Sequence, residues 1–89
     1  MDRQRIDKWL WHARIVRTRM DATKLVEKGH VRINGARKKS PGLAVKIGDV
    51  LTVALDRRVR VLKVENFSEK RGDASTTIGL YANLQPRPD

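Results

Sequence analysis

Cysteine is absent from this 89-residue chain. Neither disulfides nor a thiolate metal site can reinforce such a fold, and a reducing cytoplasm fits the composition. No apolar run approaches the ~18 residues of a membrane span, and the opening MDRQRIDKWLW lacks the apolar stretch of a secretory leader. A soluble protein that stays where it is made is the expectation. The two histidines, His12 and His30, stand alone, and no carboxylate pair or glycine-rich phosphate loop precedes a helix at a useful spacing. Catalysis, a cofactor and a metal site are therefore not expected. Without internal repeats the chain reads as one domain over residues 1–84, with 85–89 as a flexible tail. A domain of this size buries somewhat over ~60% of its unfolded surface, so the core must be small.

What is abundant is positive charge. Twenty Lys and Arg stand against ten Asp and Glu, for a net +10 at pH 7. The excess is uneven. Residues 1–46 hold 13 basic and 4 acidic side chains, net +9, whereas residues 47–89 hold 7 and 6, net +1. Crowding cations into one half costs self-repulsion that a polyanion relieves, and phosphate backbones are the commonest such partner.

Periodicity predicts two helices and then strands. Ile6, Trp9, Leu10, Ala13 and Val16 recur at helical spacing and fall on one arc, which marks a core face. Asp2, or a residue just after it, is the expected cap at the start of this helix. Thr18 is placed to cap a second helix over Arg19 to Lys28, with Asp21 in the capping-box position. That helix buries Ala22, Leu25 and Val26 and ends at Gly29, which suits a left-handed residue. The period then changes. HVRING alternates Val31 and Ile33 inward with His30 and Arg32 outward, and Asn34-Gly35 is a strong hairpin signal. A short strand follows through Lys39, Ser40-Pro41-Gly42 breaks it, and further strands are expected at Leu51 to Leu55, Val59 to Val64 and within IGLYANL. The fold class is α+β: two N-terminal helices packed on a small, mostly antiparallel sheet of about five strands. The helix pair and hairpin form its core at about residues 3–55, with the further strands at 56–84.

The hairpin apex carries NGARKK, a tight turn followed at once by three cations. On the first helix Lys8, His12 and Arg14 fall outside the apolar arc, Arg5 precedes it and Arg17 closes it; Arg19, Lys24 and Lys28 lie on the second. If the turn folds back beside the helices, Arg32, Arg37, Lys38 and Lys39 join them on one face. Such a face would follow a phosphate backbone, with Arg binding phosphate bidentately and Lys acting as a point charge.

The order of these residues resembles a known family. RIDKWLWHARIVRTRMDATKLVEKGHVRING is similar to the two-helix and hairpin core of the RNA-binding domain named after ribosomal small-subunit protein four, the αL motif. Its opening is Arg5 to Leu10, its second-helix entry is Thr18-Arg19, its helix end is Gly29, and its hairpin is Val31 to Gly35. VKIGDVLTV matches a later element of the same pattern. DKWLWHAR, with Trp9 and Trp11, and KRGDASTTIGLY resemble, more narrowly, the ribosome-associated heat shock protein 15 family. The resemblance implies RNA binding without catalysis, on the free large ribosomal subunit carrying a nascent chain on tRNA, in recycling of stalled particles. It adds Thr18 and Asn34 to the candidate RNA contacts. Longer relatives continue with a basic tail whose contacts are expected to be absent here, and Ser40-Pro41 stands where many have Lys-Pro-Ser.

Other readings of single residues stay open. Trp9 is read as core. Trp11 either stacks on an unpaired base or packs under the later strands, and packing is preferred because Ile15 shares its face. Asp7 is read as orienting Lys8 or Arg14, or as favouring the helix N-terminus. Arg57, Arg58 and Arg60 read as a solvated strand edge that discourages pairing, and Lys70-Arg71 is undecided. Two other partners compete with RNA. Duplex DNA would need base-reading Arg, Asn or Gln on the second helix, and no Asn or Gln lies between Gln4 and Asn34. An acidic protein partner is permitted by the charge and indicated by nothing else.

Overall fold

A computed structural model describes residues 2–69, 77 and 79–84. The elements in chain order are β1 (Arg3–Arg5), α1 (Ile6–His12), α2 (Arg19–Glu27), β2 (Val31–Ile33), β3 (Ala36–Lys38), β4 (Ala44–Lys46), β5 (Val50–Leu55), β6 (Arg58–Val64) and β7 (Tyr81–Asn83). Five strands form one antiparallel sheet in the order β3-β2-β5-β6-β7, and β1 pairs with β4 in a separate ribbon. This is the α+β architecture expected from the periodicity.

The core follows the apolar arcs. Ile6, Trp9, Leu10 and Ala13 from the first helical segment, Ala22 and Val26 from α2, and Val31, Ile33, Leu51, Val53, Leu62 and Val64 from the sheet are all buried in one cluster. Trp9 is fully buried, donates its indole N–H to the Asn66 carbonyl at 3.0 Å and meets the Tyr81 ring edge-on at 6.2 Å. Truncating a core aromatic so placed typically costs about 3–5 kcal/mol.

Both helices close in the same way. In α2 the Gly29 N–H donates to the Val26 carbonyl and the His30 N–H to the Leu25 carbonyl, with Gly29 at φ 78°. In α1 the Arg14 N–H donates to Trp11 and the Ile15 N–H to Leu10, with Arg14 at φ 60°. Each is a Schellman closure. The first helix therefore stops at His12 rather than running on to Val16, because Arg14 takes the left-handed conformation that glycine takes in α2.

The start of α1 also differs from expectation. Asp2 does not cap it; Arg5 occupies the N-cap position without a side-chain bond. Instead the Ile6 and Asp7 N–H groups donate to the Leu43 and Pro41 carbonyls, at 2.7 and 3.3 Å. The β1–β4 ribbon brings that loop into place, pairing Arg5 with Ala44. At α2, by contrast, the Thr18 hydroxyl accepts from the Asp21 N–H at 3.0 Å, as a local cap should.

Candidate nucleic-acid interface

The hairpin positions its cations through its turn. Asn34 and Gly35 have φ of 51° and 86°, the both-positive pattern of a type I′ turn. Asn34 also pins the hairpin to the sheet. Its amide donates to Asp49 Oδ1 at 3.1 Å, and its Oδ1 accepts from the Val50 N–H at 2.9 Å. The Asn34 side chain, still exposed, thus serves the fold as well as being a candidate RNA contact.

The apex itself does not turn back onto the helix pair: Asn34 lies against Asp49 and Val50, and it is the open base of the hairpin that meets the end of α2. A methyl group at Gly29 would lie 3.1 Å from Arg37 Cδ and 3.3 Å from Lys39 Cε, so both stems cross the end of α2 there. Helix C-termini favour cations at that point. Strand alternation divides the group, however. Arg37 is directly across from Arg32 on the sheet face away from the helices, whereas Lys38 is across from buried Val31 and is itself half-buried.

A second group is organised by one carboxylate. The Asp7 side chain is 2% exposed and takes Arg5 bidentately, Nε at 3.1 Å and Nη2 at 2.9 Å. It also accepts from the Lys8 N–H at 2.7 Å and the Thr23 hydroxyl at 3.4 Å, and Arg19 Nε stands 3.9 Å away. A buried anion is tolerated when its lone pairs are this fully used. Arg5 is held more firmly protonated as a result, through its hydrogen bond to Asp7 and then the charge itself. Asp7 therefore orients Arg5 and Arg19 rather than the Lys8 or Arg14 side chain, while its bond to the Lys8 N–H serves the helix N-terminus, the other role expected of it.

A third group surrounds a hollow of about 410 Å³ beside α2, where Arg17, Lys24 and Lys28 meet Asp21, Asp56 and His30. His30 also borders a groove of about 300 Å³ on the outer sheet face, lined by Arg32 and Arg37. The two hollows are neighbours, so cations from the second helix and the hairpin form a strip around the C-terminal end of α2. Arg5 and Arg19 sit at its other end, about 13 Å away for a nine-residue helix. For Lys8, Arg17, Lys24, Lys28, Arg32, Arg37, Lys38 and Lys39 no ion pair forms among the described residues. Lys8 is half-buried, Arg14 is exposed at the α1 closure, and the Thr18 hydroxyl serves its cap.

Two side chains, His12 and Arg60, depart further from the sequence reading. His12 is not on the solvated side but 1% exposed, with Nδ1 2.8 Å from the Ser68 carbonyl. A carbonyl only accepts, so Nδ1 carries the proton. Burial holds the imidazole below the usual histidine range; the Ser68 bond opposes this, and Lys8 and Arg19 add to it. Arg60 is not simply solvated either, although β7 pairs with β6 only from Leu62 to Val64. Its strand β6 lies between β5 and β7, and its guanidinium donates to Asn83 Oδ1 at 2.8 Å and lies 5.4 Å from the Tyr81 ring centre. Trp11 is half-buried beside His12, their rings 5.3 Å apart. Asp7 and His12 both border the apolar arc of α1, the one sequence signal of their burial. Lys70, Arg71 and the tail at 85–89 lie outside the described residues.

Comparison with known proteins shows the family of the fold. Residues 4–51 match the model of the S4 domain, and the chain belongs to that family of RNA-binding domains. Within the family it resembles a particular branch. It is 42% identical over 81 residues to the Heat shock protein 15 homolog of Aeromonas salmonicida, covering 91% of this chain and 61% of that protein. The solved structure of Vibrio cholerae Heat Shock Protein 15, described as trimeric, superposes with a TM-score of 0.86 at 35% identity, covering 93% of this chain and 83% of that one. The RQC P-site tRNA stabilizing factor of Listeria monocytogenes is 35% identical over 65 residues, 73% of this chain and 70% of that protein. This chain spans about three fifths of the length of the Heat shock protein 15 relatives, 61% and 57% for the Aeromonas and Escherichia coli proteins. Among the described residues no helix is long and apolar enough to cross a membrane, and no cluster of three or more metal-ligating side chains occurs.

Proposed function

We propose that this chain binds structured ribosomal RNA without catalysing a reaction on it. Its site is the large ribosomal subunit in the cytoplasm, in the handling of stalled particles that carry a nascent chain on tRNA during heat stress. The carrying observation is the strip of cations that α2 and the hairpin bring together, which makes no ion pair among the described residues. Unpaired cations held close on a folded scaffold repel one another, and a phosphate backbone relieves that repulsion as it replaces its own counterions. The names of the relatives, heat shock proteins and a factor stabilising P-site tRNA, support the ribosomal setting.

The candidate contacts are Arg5, Lys8, Arg14, Arg17, Thr18, Arg19, Lys24, Lys28, Arg32, Asn34, Arg37, Lys38 and Lys39, on a single RNA-binding domain. Lys24 and Lys28 make the cleanest test, because neither touches the Asp7 network. Reversing both to Glu should weaken binding to a ribosomal RNA fragment in a filter titration and leave the melting temperature near wild type. Losing two phosphate contacts also makes the slope of log affinity against log salt shallower by about 1.4–1.8. Unchanged affinity would remove this surface from the account. A complex insensitive to salt would instead favour an acidic protein partner, and equal affinity for duplex DNA would favour the DNA reading.

A further inference from the structure

The groove on the outer sheet face combines features that a plain basic patch does not need. Its floor is Thr52, Ala54 and Val59, small or β-branched residues, and Val59 is 50% exposed. Its rim is His30, Arg32 and Arg37. Register puts Arg32 opposite Arg37 on one side and opposite Thr52 on the other, while Ala54 pairs with Val59. Two arginines directly across an antiparallel pair are destabilising, and neither has a carboxylate partner among the described residues. The end of α2 offsets part of that repulsion for Arg37, whose stem crosses Gly29. The remainder calls for an anion. An apolar floor beside it calls for something flat and uncharged, attached to that anion.

We infer that this groove takes one unpaired nucleotide of a single-stranded RNA segment, its base over Thr52, Ala54 and Val59 and its phosphates on Arg32 and Arg37. Single-stranded bases are recognised by being splayed out and stacked on aromatic rings or guanidinium planes. Here His30 and the two arginines supply those planes. At about 300 Å³ the groove lies at the lower end of the ~300–1,000 Å³ range of small-ligand clefts, which suits a single nucleotide rather than a helix of RNA. Double-stranded RNA is left to the strip around α2. The protein would then hold a duplex and an adjoining unpaired residue together. The inference rests on the RNA reading above and adds to it the class of nucleotide and a second subsite.

The experiment titrates the ¹⁵N-labelled chain with adenosine 5′-monophosphate, a single-stranded oligoadenylate and a blunt RNA duplex, following backbone amides. The single strand should shift His30, Thr52 and Val59 in a saturable way, and bind more tightly than the mononucleotide because neighbouring phosphates also reach the arginines. Val59→Asp, which places a carboxylate on the open floor, should lower single-strand affinity by at least about tenfold and duplex affinity by less than about twofold. Shifts confined to α2 with every probe would overturn the groove, as would a Val59→Asp protein that is folded by its amide spectrum and binds the single strand like wild type. Equal affinity for mononucleotide and oligonucleotide would overturn the assignment to an RNA strand in favour of a free nucleotide. Groove shifts without any duplex binding would retire the ribosomal reading and leave this one standing.

Discussion

Replacing Arg14 by glycine should make the protein more stable while removing a cation from its N-terminal half. Arg14 and Gly29 occupy the same position in two equivalent helix closures, at φ 60° and 78°. A side chain in the left-handed region costs about 1–2 kcal/mol, because Cβ approaches the following carbonyl. Glycine avoids that cost but gives the unfolded chain extra freedom worth about 0.5–1 kcal/mol. The balance for the backbone alone, before any contact of the Arg14 side chain is subtracted, is a stabilisation of about 0.5–1 kcal/mol, and a domain of this size gains about 4–8 °C in Tm per kcal/mol. Thermal unfolding followed by circular dichroism should therefore move upward by about 2–8 °C. The opposite exchange checks the reasoning. Gly29→Ala meets the same backbone penalty and sets a methyl 3.1 Å from Arg37 Cδ, so it should lower Tm. A lower Tm for Arg14→Gly would show that the side chain contributes more to the fold than its backbone conformation costs, and would refute the argument.

Two further predictions test the buried polar groups. Asp7→Asn keeps the size of the side chain and removes the charge that ties Arg5 and Arg19, so the urea midpoint should fall by the equivalent of about 2–3 kcal/mol; an unchanged midpoint would mean the network is ornamental. For His12 the folded state holds the imidazole below its ordinary 6.5. The unfolded chain then binds the proton more readily, so stability is full above 6.5 and is lost as pH falls from there toward the folded value. His12→Gln should flatten that dependence, and a wild-type stability that is level or rises on acidification across the window would contradict the burial argument.

What was legible in the sequence was what neighbouring residues decide. Thr18 as a cap, Gly29 as a stop and Asn34-Gly35 as a turn each need only a few residues of context, and all three hold. The arcs of α1 and α2 likewise identified Trp9, Leu10, Ala22 and Val26 as core. The departures are non-local. The cap of α1 comes from carbonyls of Pro41 and Leu43, and the ribbon that delivers them pairs residues some forty positions apart in the chain. Arg14 ended α1 early because arginine occupied a position where glycine would have been the readable signal. Arg60 looked like a solvated cation until Asn83 of β7 took its guanidinium, and His12 looked solvated until Ser68 covered it. Among the candidate contacts, local alternation put Arg32 outward correctly, yet the same alternation separates Lys38 from Arg37, which a count of basic residues does not reveal.

Contact between ribosomal RNA and the cations of α2 and the β2–β3 hairpin can be read by ultraviolet crosslinking in cells, with both the crosslinked peptide and the attached RNA sequenced. Crosslinked peptides from residues 17–39 joined to large-subunit ribosomal RNA are expected. Crosslinks confined to the β6 strand, or RNA drawn mainly from messengers, would contradict this contact.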